Sequence, residues 1–173
     1  MEAWRCGRGE RPRDAATLAA AWADLEVERW TQVPEARSEA DAARWVAGEA
    51  HRRDRGVGID LVVTVPGDPG AVIGEVGLAV VEPVRRWAEV GYWVLPEHRG
   101  RGRATAALWL FTHWVLTEVP IQRLFARTDP ANVASGRVAA AAGYDHVGDL
   151  ADGTVVWVRD RGSAPTAGGT VGV

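Results

Sequence analysis

The run Gly91-Tyr92-Trp93-Val94-Leu95-Pro96-Glu97-His98-Arg99-Gly100-Arg101-Gly102-Arg103-Ala104 decides how this chain is read. It starts as a β-type segment, stops at Pro96, and passes through two glycines set between arginines. It then opens into an apolar stretch of helix length, from Ala104 to about Thr117. A helix start offers unpaired amides and the positive end of the peptide dipole, which suit a phosphate. Glycines let the main chain come close to an anion, and Arg99, Arg101 and Arg103 add positive charge around it. The loop is too short for a Walker A motif, lacks the Lys-Ser/Thr ending, and does not carry the full dinucleotide-binding glycine pattern. Taken alone, the same residues also read as a solvated basic turn. A nucleic-acid patch fits worse, because no aromatic residues interleave the arginines and the chain carries a net −3.

Working upstream, three β-rich runs cover Val57 to Val65, Ala71 to Val81 and Trp87 to Leu95. Turn residues separate them at Pro66–Gly70 and Glu82-Pro83, so they are expected as antiparallel neighbours. Before them, Asp14 is expected to cap a helix from Ala15 to about Leu25. A second helix, from Ser38 to about Arg53, opens on a Ser38-x-x-Asp41 capping box, and Arg29–Pro34 reads as a loop between the two. Downstream, Trp109, Leu110 and Trp114 widen the apolar surface of the Ala104–Thr117 helix, which predicts burial on most sides. Gln122–Thr128 reads as a strand, Asn132–Ala142 as a short helix closed by Gly143, and Tyr144–Gly148 and Thr154–Arg159 as two last strands. The sum is an α/β (α+β) domain over residues 1–160. Its central sheet is mixed and mostly antiparallel, flanked by helices, with one strand–loop–helix–strand crossover. Met1–Pro12 reads as a first strand or arm, and residues 161–173 as a flexible tail.

Composition narrows the chemistry. With 173 residues, 47% hydrophobic and 25% charged, the chain is a globular protein of single-domain size. All 20 basic side chains are Arg, which excludes a lysine nucleophile or Schiff base. One cysteine, Cys6, makes no internal disulfide, and no Cys/His spacing suits a metal, so none is expected. Neither a signal segment nor a run long enough to span a bilayer is visible. A cytoplasmic protein with no membrane or nucleic-acid partner is the expectation.

Arg99-x-x-Gly102-x-Ala104 resembles the Q/R-x-x-G-x-G/A signature of the GNAT superfamily of N-acetyltransferases. Asp129-Pro130-x-Asn132-x-x-Ser135-x-Arg137-Val138, ending at Ala142-Gly143-Tyr144, resembles the second half of its RimJ/RimL-type branch. Ala88–Trp93, Arg11–Ala15 and Val27–Trp30 look like that branch too, so the likeness covers roughly Arg11 to Trp157. The resemblance implies the GNAT fold with its V-shaped cofactor cleft, and acetyl-CoA as acyl donor. The acceptor it implies is a primary amine, first of all a protein or peptide N-terminus. A small-molecule amine such as an aminoglycoside is the alternative, and a non-catalytic acyl-CoA-binding module or a homodimer stays open.

The same resemblance assigns residues. The amides of Arg99, Gly100, Arg101, Gly102, Arg103 and Ala104, with Thr105 close by, would hold the CoA pyrophosphate. The pantetheine arm would lie along the strand through Trp93, Val94 and Leu95, with an amide near Val94 polarising the thioester carbonyl. Asn132 would contact that arm, or simply cap its helix. Many relatives protonate the leaving thiolate with a tyrosine four residues before the closing glycine. That position is Ala139 in this chain, so Ser135 is the expected substitute. For the base, Glu89 is preferred and Glu75 comes second, with Asp149 or Asp152 of the final hairpin as further choices. Trp30 and Trp93 would shape the acceptor pocket. An α-amine with a pKa of about 7.7–8.0 is about one-tenth neutral at pH 7, whereas a lysine amine near 10.4 is neutral about once in 2,500. An N-terminus therefore spares the enzyme about 3–4 kcal/mol of deprotonation work.

Overall fold

A computed structural model describes residues 8–65 and 67–163, without the side chain of Arg8. The expected arm before Arg8, the Cys6 thiol and the tail beyond Ser163 lie outside the described residues. The chain divides into two compact units, Met1–Leu78 with Gly91–Arg99, and Ala79–Val90 with Gly100–Val173.

In the first unit the strands are β1 (Arg8–Gly9), β2 (Gly58–Val65), and parts of β3 (Asp68–Glu82) and β4 (Trp87–Val94), in that order. β1 runs antiparallel to β2, with Arg8 opposite Val62 and Gly9 opposite Leu61. Its helices are α1 (Ala15–Trp22), α2 (Leu25–Trp30) and α3 (Glu39–Asp54). The Ser38 capping box forms as expected: the Ser38 amide donates to Asp41 (2.9 Å) and the Asp41 amide to the Ser38 hydroxyl (3.2 Å).

Two readings of the N-terminal region change. The first helix stops at Trp22, and Asp24 accepts from the Val27 amide (3.0 Å) to start α2. Arg29 and Trp30, expected in a loop, are therefore its last turn. Asp14 does not cap α1. Its buried carboxylate turns back to the Arg11 amide at 2.7 Å. Leu18, Trp22, Val27, Val46, Val62, Val72 and Trp93 form the core of this unit, and Trp22 meets Trp45 edge-on at 6.3 Å. Each such aliphatic side chain contributes about 1.5–3 kcal/mol by leaving water. Gly74 on β3 is required by close approach: a Cβ there would run into the Trp93 carbonyl oxygen and lie 3.2 Å from the Val94 Cα.

The second unit holds the start of β4, α4 (Arg103–Glu118), β5 (Arg123–Thr128), α5 (Val133–Ala141), β6 (Asp145–Asp149) and β7 (Val155–Asp160). β4 and β5 pair in parallel from Trp87 opposite Arg123 to Glu89 opposite Phe125, which is the expected crossover through α4. β7 pairs antiparallel with β5 along its whole length and with β6 on its other side. Leu108, Phe111 and Val115 of α4, Leu124 and Ala126 of β5, and Ala139 of α5 are buried. The expectation that α4 is covered on most sides is corrected, since Trp109 and Trp114 are 49% and 37% exposed. Among the described residues no helix is long and apolar enough to cross a membrane.

Candidate active site

At the start of α4 the chain uses two left-handed glycines, Gly100 (φ 71°) and Gly102 (φ 70°). Gly102 is the N-cap and brings no capping side chain. The first helical hydrogen bond runs from the Ala106 amide to the Gly102 carbonyl (2.9 Å). Helix geometry then leaves the amides of Arg103, Ala104 and Thr105 without a carbonyl inside the helix. The 16 residues of α4 add an aligned dipole behind them. Nη1 of Arg103 is buried with no hydrogen-bond partner among the described residues, and Arg101 is exposed. Bare amides, a dipole and an orphaned guanidinium nitrogen fit an anion of the diphosphate kind.

In the first unit the end of β4 is fixed just as closely. The Leu95 amide donates to the Ile73 carbonyl at 2.9 Å. Strand alternation then turns the N–H and C=O of Val94 to the edge away from β3. On that edge Arg99 donates from Nε to the Val94 carbonyl (2.8 Å), and its Nη2 reaches Asp24 at 2.6 Å. Asp24 is held below the ordinary carboxylate range chiefly by this bond. The Arg99 side chain, expected to lend charge to a phosphate, is thus committed to Asp24 and to β4. Sequence reasoning missed Asp24, because its partner lies 75 positions away and no local pattern joins them. Trp93, expected to shape an acceptor pocket, is 8% exposed and belongs to the core. Trp30 is part-buried, with its indole nitrogen on Glu26 (2.7 Å).

The remaining catalytic candidates separate by unit. Glu89, in the second unit, is clamped by Arg127: Nε donates to Oε1 at 2.8 Å and Nη2 to Oε2 at 2.7 Å. A guanidinium fork that engages both oxygens occupies the lone pairs a base would offer to an incoming substrate. Asn132 caps α5 through the Ser135 amide (3.1 Å), and Ser135 sits part-buried in its first turn. Ala139 is fully buried, while the hydroxyl of the buried Tyr144 is bonded to Thr112 at 2.7 Å. Asp149 bonds His146 (2.9 Å) and Asp152 the Thr154 amide (2.9 Å), both in exposed positions. Glu75 lies in the first unit on β3, where burial first and the neighbouring Glu10 second push its carboxyl well above the ordinary value. Glu10, read from sequence only as part of an arm, is itself pushed up from 4.5 to about 7, mainly by burial.

Residues 8–145 match the family described as the acetyltransferase (GNAT) domain. The ribosomal-protein-serine acetyltransferase of Escherichia coli strain K12 is 26% identical over 108 residues. That match spans 62% of this chain and 59% of that protein, so the chain aligns with little more than half of this relative. The ribosomal-protein-S5-alanine acetyltransferase of Vibrio fischeri superposes with a TM-score of 0.77 at 18% identity, covering 90% of this chain and 92% of that one. Mycobacterium smegmatis RimJ, solved with CoA-disulfide, superposes at 0.75 with 24% identity, covering 88% and 80%. At these identities the two structures speak for the fold.

Proposed function

The chain belongs to the GNAT acetyltransferase family, and on that premise we propose that it moves the acetyl group of acetyl-CoA to a primary amine, a protein or peptide N-terminus first of all. The observation that carries the proposal is the start of α4, where left-handed Gly102 bares three amides and the first helical residue, Arg103, has a buried Nη1 with no partner among the described residues. The amides of Arg103, Ala104 and Thr105 and the Arg103 guanidinium bind the cofactor diphosphate, with Gly100 and Arg101 completing the turn. The pantetheine arm runs along Trp93–Leu95, and Asn132 contacts it. The Val94 amide, directed away from β3, donates to the thioester oxygen as charge gathers there.

The neutral amine attacks the carbonyl carbon in a ternary complex. The C–N bond forms and the C–S bond breaks. The attacking nitrogen gives up one proton to become an amide, and the sulfur leaves as a thiolate that takes one up, so the product is a free thiol. The Ser135 hydroxyl donates a hydrogen bond to that sulfur, in the absence of a side-chain acid at Ala139. An N-terminal acceptor is favoured by its low amine pKa and by the ribosomal-protein acceptor in the name of the Escherichia coli relative.

The test pairs calorimetry with CoA against free-thiol release over N-terminal peptides, a lysine-only peptide and an aminoglycoside. Micromolar binding and turnover on the N-terminal peptides is the expected result. No heat at millimolar CoA would sink the proposal, and faster turnover on the aminoglycoside would overturn the acceptor.

A further inference from the structure

The first unit buries a group of carboxylates that the reaction described above leaves idle. Glu75 on β3 faces Glu10, just beyond β1, and Asp60 on β2. From α3 come Glu49, Arg52 and Arg53, and from β4 comes the Trp93 indole, which hydrogen-bonds Glu75. Most of the nearby guanidinium nitrogens already have partners, while Nε of Arg52 is buried with none among the described residues. Arg52 holds Asp60 at 3.0 Å and the Trp45 carbonyl at 2.9 Å, and Arg53 holds Glu49 at 3.2 Å. Both Glu10 oxygens and Glu75 Oε2 are buried and receive no hydrogen bond from any donor in the described residues. Two ionised carboxylates cannot rest in that state. A single proton held between them satisfies both, as one carboxylic acid donating to one carboxylate.

We propose that Glu10 and Glu75 share one proton, and that this pair accepts, through water, the proton that the acceptor ammonium loses before it attacks the thioester. The inference rests on the reading of the chain as an amine acetyltransferase. Glu75 is bonded to Trp93, and the next residue is Val94, whose amide serves the thioester carbonyl. The pair, on β3 and beside β1, therefore reaches β4 through Trp93, the residue before Val94 on the strand that carries the proposed reacting centre. In the balance of the step, the ammonium gives up one proton to the singly protonated pair, which becomes doubly protonated and then returns it to solvent. Glu10 ionises at about 7, close to the working pH, where a general base is most effective. Glu89 is the competing base, and its engagement with Arg127 counts against it.

The test uses Glu10→Gln, with Glu10→Asp as the conservative control, in two independent readouts. First, the protein labelled with ¹³C at glutamate carboxyls is titrated by NMR. The wild type is expected to show a carboxyl transition near pH 7 that Glu10→Gln abolishes and Glu10→Asp keeps. Second, log kcat/KM is followed against pH with an N-terminal peptide. The limiting slope at low pH is expected to be two in the wild type, from the pair and the amine, and one in Glu10→Gln. The rate at pH 7.5 should fall about 10²-fold, with the KM for acetyl-CoA unchanged. A wild type with no carboxyl transition near 7, or a Glu10→Gln protein of unchanged rate and slope, overturns the pair while leaving the acetyltransferase reading intact. A wild type that releases no thiol with any amine overturns that reading, and this role with it.

Discussion

Replacing Arg99 tests whether this arginine is a phosphate ligand or a latch. Its Nη2 lies 2.6 Å from Asp24, and the two side chains are 36% and 22% exposed, so solvent screens the pair. An ion pair in that setting is worth about 0.5–1 kcal/mol. The bond from Nε to the Val94 carbonyl, 2.8 Å long, adds about 1 kcal/mol. Arg99→Ala should therefore lower stability by about 2 kcal/mol. Asp24 also caps α2, and Asn caps as well as Asp. Asp24→Asn thus removes the charge while keeping the cap, and should cost about 0.5–1 kcal/mol. Urea unfolding of the two variants and the double mutant should return a coupling of about 0.5–1 kcal/mol. CoA calorimetry at several salt concentrations then distinguishes the roles. A latch predicts that both variants weaken CoA slightly and leave its salt dependence alone. If Asp24→Asn tightens CoA while Arg99→Ala weakens it and flattens the salt dependence, Arg99 leaves Asp24 for the phosphate and the latch is refuted.

Gly102→Ala meets no atom within 4 Å but must hold φ near 70°. It should cost about 1–2 kcal/mol of strain and weaken CoA about tenfold by calorimetry. Glu89→Gln should lower stability by about 1 kcal/mol and leave kcat within about threefold; a collapse of kcat with loss of the acid limb would make Glu89 the base. Ser135→Ala should lower kcat about tenfold without changing CoA affinity, read by thiol release and calorimetry. Glu10 also makes stability depend on pH. Its folded pKa, raised from 4.5 to about 7, means the folded state holds the proton more tightly, so stability is intact below 4.5 and is lost as pH rises through 7. Urea unfolding should find the wild type losing about 3 kcal/mol relative to Glu10→Gln between pH 4.5 and 8. An offset that does not change with pH would refute the buried pair.

Local signals carried far in this protein. The order of helices and strands was legible because each element has its own periodicity or stop: Ser38 and Asp41 at the start of α3, Pro96 after β4, Gly143 after α5. Errors fell where a side chain had two local choices. Asp14 could cap α1 or turn back to Arg11, and Asp24 could sit inside one helix or begin another. Apolar residues on α4 gave no sign that Trp109 and Trp114 would stay exposed, because periodicity reports a surface and not what covers it.

The glycine turn at Gly100–Gly102 and the helix start after it were legible in the sequence alone, since backbone freedom at two glycines and a helix start are properties of neighbouring residues. Charge partners were not. Arg99 with Asp24, Arg127 with Glu89, and Glu10 with Glu75 join residues 75, 38 and 65 positions apart. Which guanidinium is spent and which carboxylate is buried without a donor follows from strand pairing and burial. Coulomb and desolvation terms depend on distance in space, and only the folded chain sets those distances.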